Sequence, residues 1–210
     1  MTANEMSQPA RELQAPDTTD QQRILRHARA AVLKRFAVRG GIGAVAFLVQ
    51  PLTGVTYLIP LTVAAAAYFM FELVRFLSGL IWARLSGRVL REYRLEMWPR
   101  VIEREKGWIL HGTVFLLSAR GPEGKAPRMR AIDAVDSGDW PASAVDGVWV
   151  AGDPLFGGVM IVPGTDRILF MQPSKWNEMA AERKQAGAER IAKAKRARID
   201  SRWPRKSAAY

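Results

Sequence analysis

The feature that most constrains this chain is the interval Gly40–Phe71, 32 consecutive residues without an Asp, Glu, Lys, Arg or His. An uncharged apolar run well beyond about 18 residues reads as membrane-spanning. A buried helix of a soluble domain would need apolar helices around it, and the rest of the chain offers only polar, basic ones. A cleavable signal peptide does not fit either. The 39 residues ahead of the run are long and polar, and no small-residue cleavage site closes a short apolar region.

One helix over this interval would be about 48 Å long, against a hydrocarbon core of about 30 Å. Pro51 and Pro60 would both fall inside it. Gln50-Pro51-Leu52-Thr53-Gly54 carries turn chemistry, a Pro to fix φ and a Gly to accept a left-handed residue. The expectation is a hairpin with legs at about 36–49 and 55–83. The first leg is short, so it extends back through Ala30, Ala31, Val32 and Leu33 with basic side chains snorkelling outward. A re-entrant or shallow hairpin is the variant that this short leg allows.

Charge agrees with the hairpin. Arg23, Arg26, Arg29, Lys34, Arg35 and Arg39 precede the run with no acid among them, and Arg75, Arg84, Arg88 and Arg91 follow it. The positive-inside rule puts both clusters in the cytoplasm, which two spans permit and one span forbids. The expected location is the inner membrane of a bacterial cell, with both termini cytoplasmic. The Ala- and Arg-rich, Lys-poor composition hints at a GC-rich bacterial genome. Gln21–Arg39 also has apolar residues at helical spacing (Leu25, Ala28, Val32, Phe36), the pattern of an amphipathic helix lying along anionic headgroups. Glu72 and Arg75, at i and i+3, read as a self-neutralising pair rather than a proton relay. Gly40-Gly41-Ile42-Gly43 follows no strand, so it reads as small residues at a helix–helix contact rather than a nucleotide loop.

Past Arg91 the pattern changes. Residues 92–173 read as a small antiparallel β meander or barrel with strands at 93–98, Gly107–Leu117, Arg128–Ile132, Val148–Ala151, Val159–Val162 and Arg167–Met171, separated by Gly/Pro/Asp turns. Trp98, Trp108, Trp140 and Trp149 are expected to fill its core. His111 is expected as a structural residue in mid-strand, and His27 on the surface of the basic helix. The cluster Asp133, Asp136, Asp139, Asp146 lacks calcium-loop spacing and reads as a solvated loop. There is no cysteine, and no Gly-x-Ser-x-Gly, Walker or His-Glu-x-x-His pattern. Neither an enzyme nor a cofactor is therefore expected.

The ends complete the layout. Residues 1–20 are polar with two prolines and read as disordered. Residues 174–210 read as a basic helical tail, capped by Ser174, interrupted at Gly187 and running to about Asp200. Arg190, Lys193, Lys195, Arg196 and Arg198 form its densest cationic patch. The fold class expected is an α+β membrane protein. It comprises a transmembrane hairpin within 21–91, a β domain over 92–173 and a basic helix over 174–210. The role expected is non-enzymatic: a membrane-anchored module presenting its β domain to a protein partner, with Arg23, Arg26, Arg29, Lys34, Arg35 and the five tail cations meeting the anionic lipid bilayer or that partner. A holin-like or channel subunit, acting as a homo-oligomer, and a membrane-tethered nucleic-acid binder are the alternatives.

Overall fold

The computed structural model describes residues 16–109, 112–121, 124–125, 128–133 and 139–202. Two long helices are followed by an antiparallel sheet and two short helices, an α+β chain. Of residues 1–20, expected as disordered, 1–15 lie outside the described residues, as do His111, Asp136 and the side chain of Trp108, while 18–20 are helical instead.

The first helix, α1, spans Thr18–Thr53. It begins earlier than residue 21 because Asp17 caps it: the Asp17 carboxylate accepts the Asp20 N–H at 2.7 Å, and the Asp17 carbonyl accepts the Gln21 N–H at 3.0 Å. The basic segment and the first leg are thus one continuous helix, not a surface helix followed by a span. Its apolar stripe (Ile24, Ala28, Val32) is buried inside the molecule rather than left for a bilayer surface. The turn falls where Gln50–Gly54 places it. Gly54 adopts φ +67° just past the helix end, where an L side chain would be strained. A 3-10 turn at Thr56–Leu58 leads into α2, Ile59–Glu92, with Pro60 in its first turn, where a missing N–H is harmless.

The two helices run antiparallel in a steady register. Gly87 sits beside Leu25, the Phe36 and Phe76 rings stack at 4.5 Å, and Gly43 lies against Tyr68 and Phe69. A Cβ at Gly43 would come within 3.1 Å of the Tyr68 ring, so this glycine serves the helix contact, whereas Gly41 faces nothing within 4 Å. The register brings the two cationic flanks to the same end of the hairpin.

Among the described residues the sheet has eight strands: β1 Leu95–Trp98, β2 Arg100–Ile109, β3 Gly112–Gly121, β4 Gly124–Lys125, β5 Met129–Asp133, β6 Val148–Asp153, β7 Gly157–Ile161 and β8 Ile168–Pro173. Their order is β1-β6-β7-β8-β5-β3-β2, with β4 on β3, and every pairing is antiparallel. The segment Gly107–Leu117, expected as one strand, is instead parts of two that pair with each other, Ile109 opposite Gly112. Apolar side chains on both arms hide the reversal. β1 and β2 are the two edges of the sheet, yet only Pro99 separates them in sequence. Two peptide units span about 7 Å, so the sheet must curl until its edges nearly meet. The result is a half-barrel.

Apolar side chains alternate between the two faces of the curl, and β6, β7 and β8 are buried on both. Val114, Ile132, Trp149, Ala151, Val159, Ile161 and Phe170 point outward onto the helices. Phe115, Ala131, Val148, Val150, Met160, Leu169 and Met171 point into the concavity with Trp98 and Val101. Trp98 and Trp149 are therefore core residues as expected, and Trp140 packs at the margin of the inner cluster against Phe115, ring centroids 5.2 Å apart. The outward face receives the basal ends of α1 and α2 through Ile24, Ala28, Trp82, Leu85, Val89 and Tyr93, with Trp82 4.7 Å from the Phe170 ring.

The tail breaks at Gly187 as its sequence indicates, but Ser174 does not cap it. Ser174 donates its N–H to Arg128 at 2.8 Å, extending the sheet instead of capping a helix. Helix α3 is confined to Ala180–Gln185, and Gly187 at φ +82° breaks it from α4, Ala188–Ala197. Helix α4 folds back onto the base of α2, where Ala194, Ala197 and Ile199 join the core shared by hairpin and sheet.

Candidate functional site

The distal part of the hairpin is the first candidate. Among the described residues, every large hydrophobic side chain that stands exposed lies between Leu33 and Ile81; the β half-barrel contributes none. Leu33–Thr53 measures about 32 Å along α1, close to the thickness of a hydrocarbon core. Hydroxyls along these helices are satisfied without water: Thr53, Thr62 and Ser78 each donate to the carbonyl four residues back, at 2.8, 3.2 and 2.7 Å. Among the described residues, α2 is the one helix long and apolar enough, by length and composition, to cross a membrane. Near the tip, Ala44, Phe47, Leu48, Ala66, Phe69 and Met70 line an open, wholly apolar groove of about 400 Å³.

Charge enters the hairpin at one level first. Glu72, 3% exposed, meets Arg39 of the other helix at 3.9 Å. Its spacing to Arg75 does not announce this interhelical partner. About 21 Å of each leg lies beyond this pair, without charge. Below it the α1 cations line the outside of the helix: Arg23, Arg26, Arg29 and Lys34 are exposed and Arg35 is half-buried. Arg23 pairs with Asp20 at 3.1 Å, and exposed His27 lies 3.8 Å from Asp166 in the β7–β8 turn.

The second candidate is the junction of α2, α4 and the β6–β7 turn, which divides the five tail cations into two groups. Arg190 grips the buried Asp153 carboxylate at 2.9 and 3.0 Å, Lys193 lies 4.5 Å over the Tyr93 ring, and Arg196 pairs with Glu92 at 2.9 Å. These three hold the helix in place. Desolvation by burial, with the Asp153 carboxylate adding to it, pushes the Tyr93 phenol up to about 12. Lys195 and Arg198 point to the other side, where with Arg84, Arg88, Ile81, Leu85, Asp200 and Ser201 they line a groove of about 510 Å³. Among the described residues, none of the four groove cations has a hydrogen-bonded or ion-paired side-chain partner. Arg84 and Arg88 are legible in the sequence only as flanking charge. Their convergence with the tail needs the tertiary fold.

The acidic cluster is not one solvated loop. Asp133 is buried on β5 and pairs with Arg167 at 2.6 Å, while exposed Asp139 pairs with Lys106 at 2.6 Å, and the Lys106 hydrogen bond lowers its pKa. Among the described residues no three His, Asp or Glu side chains converge as metal ligands. Comparisons with protein families, curated proteins and solved structures find no match.

Proposed function

We propose that this chain is a membrane-anchored, non-enzymatic module whose helical hairpin enters the bilayer from one side and holds the half-barrel against that surface, ready for a protein partner. The observation that carries the reading is that, among the described residues, the exposed large apolar side chains are confined to the hairpin between Leu33 and Ile81. A soluble protein would have to leave that apolar surface in water. The joint position of both cationic flanks at the hairpin's base supports insertion from the cytoplasmic face. The interhelical Arg39–Glu72 pair reduces the cost of sinking the charged level toward the lipid.

The chain has no native cysteine, so single cysteines report topology cleanly. Thr53→Cys at the tip and Ser174→Cys beside the sheet are treated with a membrane-impermeant maleimide on intact cells and on inverted vesicles. Position 174 is expected to react only in inverted vesicles and position 53 only from the outside. Full-length protein released from membranes by alkaline carbonate, or found in the supernatant after ultracentrifugation, overturns the reading.

A further inference from the structure

We propose that the groove between α2 and the end of α4 is a binding site for the phosphate headgroup of an anionic phospholipid. This deepens the membrane reading and rests on it. The groove presents four cations, Arg84, Arg88, Lys195 and Arg198, against one carboxylate, Asp200. The other cations of α4 are occupied: Arg190 by Asp153, Lys193 by the Tyr93 ring, Arg196 by Glu92. Among the described residues the groove cations have no such partners. Guanidinium groups suit phosphate oxygens, which they can meet with paired N–H donors.

Position selects a lipid over a free ion. Leu77, Ile81, Arg84 and Arg88 follow one another at three- and four-residue spacing, so they share a stripe on α2. Leu77 and Ile81 are exposed and apolar, and the cations begin one turn below Ile81. A phospholipid has this same polarity along its length, acyl chains above and phosphate below, and cationic pockets beside membrane helices are suited to such headgroups.

The backbone supplies an independent sign. Arg198 is the single non-glycine residue at positive φ among the described residues, at φ +59° and ψ 36°. It occupies the left-handed position of a Schellman cap: its N–H bonds the Lys195 carbonyl at 3.0 Å, and the Ile199 N–H bonds the Ala194 carbonyl at 3.0 Å. Glycine is the favoured residue there, and an arginine in its place puts a guanidinium at the groove at the expense of backbone strain.

The test titrates full-length protein in non-ionic detergent with dioctanoyl phosphatidylglycerol, dioctanoyl phosphatidylcholine and inorganic phosphate, reading bound lipid by native mass spectrometry and folding by thermal melting. Phosphatidylglycerol is expected to bind well ahead of phosphatidylcholine. Arg84→Gln/Arg88→Gln is expected to lower its affinity about tenfold. Arg198→Gly is expected to weaken binding while the melting temperature holds or rises, a split that a purely structural role does not produce. Equal binding of the two lipids, or an unchanged preference in both variants, overturns the site. Inorganic phosphate binding as tightly as phosphatidylglycerol overturns the lipid assignment in favour of a soluble phosphate ligand. A chain that stays in membranes but shows no preference defeats this inference alone; a chain that carbonate releases defeats the anchoring beneath it.

Discussion

Arg190 closes on Asp153 with both arms of its fork, Nε to Oδ2 at 2.9 Å and Nη2 to Oδ1 at 3.0 Å, across 37 residues of sequence. The carboxylate side chain is 7% exposed and also accepts the Leu155 N–H at 2.9 Å, so the pair ties α4 to the turn between β6 and β7. Arg190→Ala leaves a buried carboxylate without its cation, and should cost about 2 kcal/mol. Asp153→Asn keeps the turn's acceptor and should cost less, about 1 kcal/mol. Thermal melts of the two single variants and the double should show the double costing less than the sum. Strict additivity would mean that the pair does not couple tail to sheet.

Tyr93 should give the fold an alkaline sensitivity. Its phenol titrates near 10 when unfolded and near 12 in the folded chain, chiefly because burial penalises the phenolate. Below pH 10 both states are neutral and the group adds no pH dependence. Between 10 and 12 the unfolded chain releases the proton and the folded chain retains it. Stability therefore falls as pH rises, at about 1.4 kcal/mol per unit. Absorbance at 295 nm should show a tyrosine step about two units late, and Tyr93→Phe should remove both that step and the Tyr93 share of the slope.

What was legible in the sequence was whatever one stretch of chain decides for itself. The uncharged run and its Pro–Gly turn mark the hairpin, and Gly54 sits at the turn because no other residue takes φ +67° so readily. Most strands appear as apolar runs because the half-barrel is buried on both faces, as in β7, where all of Gly157–Ile161 is inside. β2 and β3 are not separated in the sequence because the stretch from Trp108 through Leu117 reads as one mostly apolar run with little turn chemistry at the reversal. The candidate groove was illegible because its two halves, Arg84/Arg88 and Lys195/Arg198, are joined only by the fold-back of α4. The sequence shows eleven cations in the tail but not which of them the fold already occupies.

Trp82 is the joint between hairpin and sheet. Its ring is buried 4.7 Å from that of Phe170, in the cluster that also holds Val89, Tyr93 and Ile199. Trp82→Ala should cost about 3–5 kcal/mol, since the helix and sheet backbones cannot both collapse into the space left. Brief trypsin treatment should then cut at Arg84, Arg88 or Arg91 faster than in the unaltered chain, separating anchor from half-barrel. Unchanged cleavage would show that the joint lies elsewhere.

The distal hairpin allows membrane insertion to be separated from folding. Val45 and Val63 are 67% and 64% exposed, one on each leg beyond the Arg39–Glu72 pair, so an arginine at either finds open space and leaves the basal core intact. If those faces meet only water, Val45→Arg and Val63→Arg should be neutral in every assay. If they meet lipid, each should cost about 2.5–3.5 kcal/mol of insertion, and the double variant should shift from the membrane pellet toward the supernatant. The melting of the half-barrel in detergent should not change in either case. Leu33→Arg, at the edge of the apolar section where a long side chain reaches the headgroups, should insert almost as well as the unaltered chain. A cost that grows from Leu33 toward the two valines would map bilayer depth along the helices. A flat profile would leave the exposed surface unexplained by lipid.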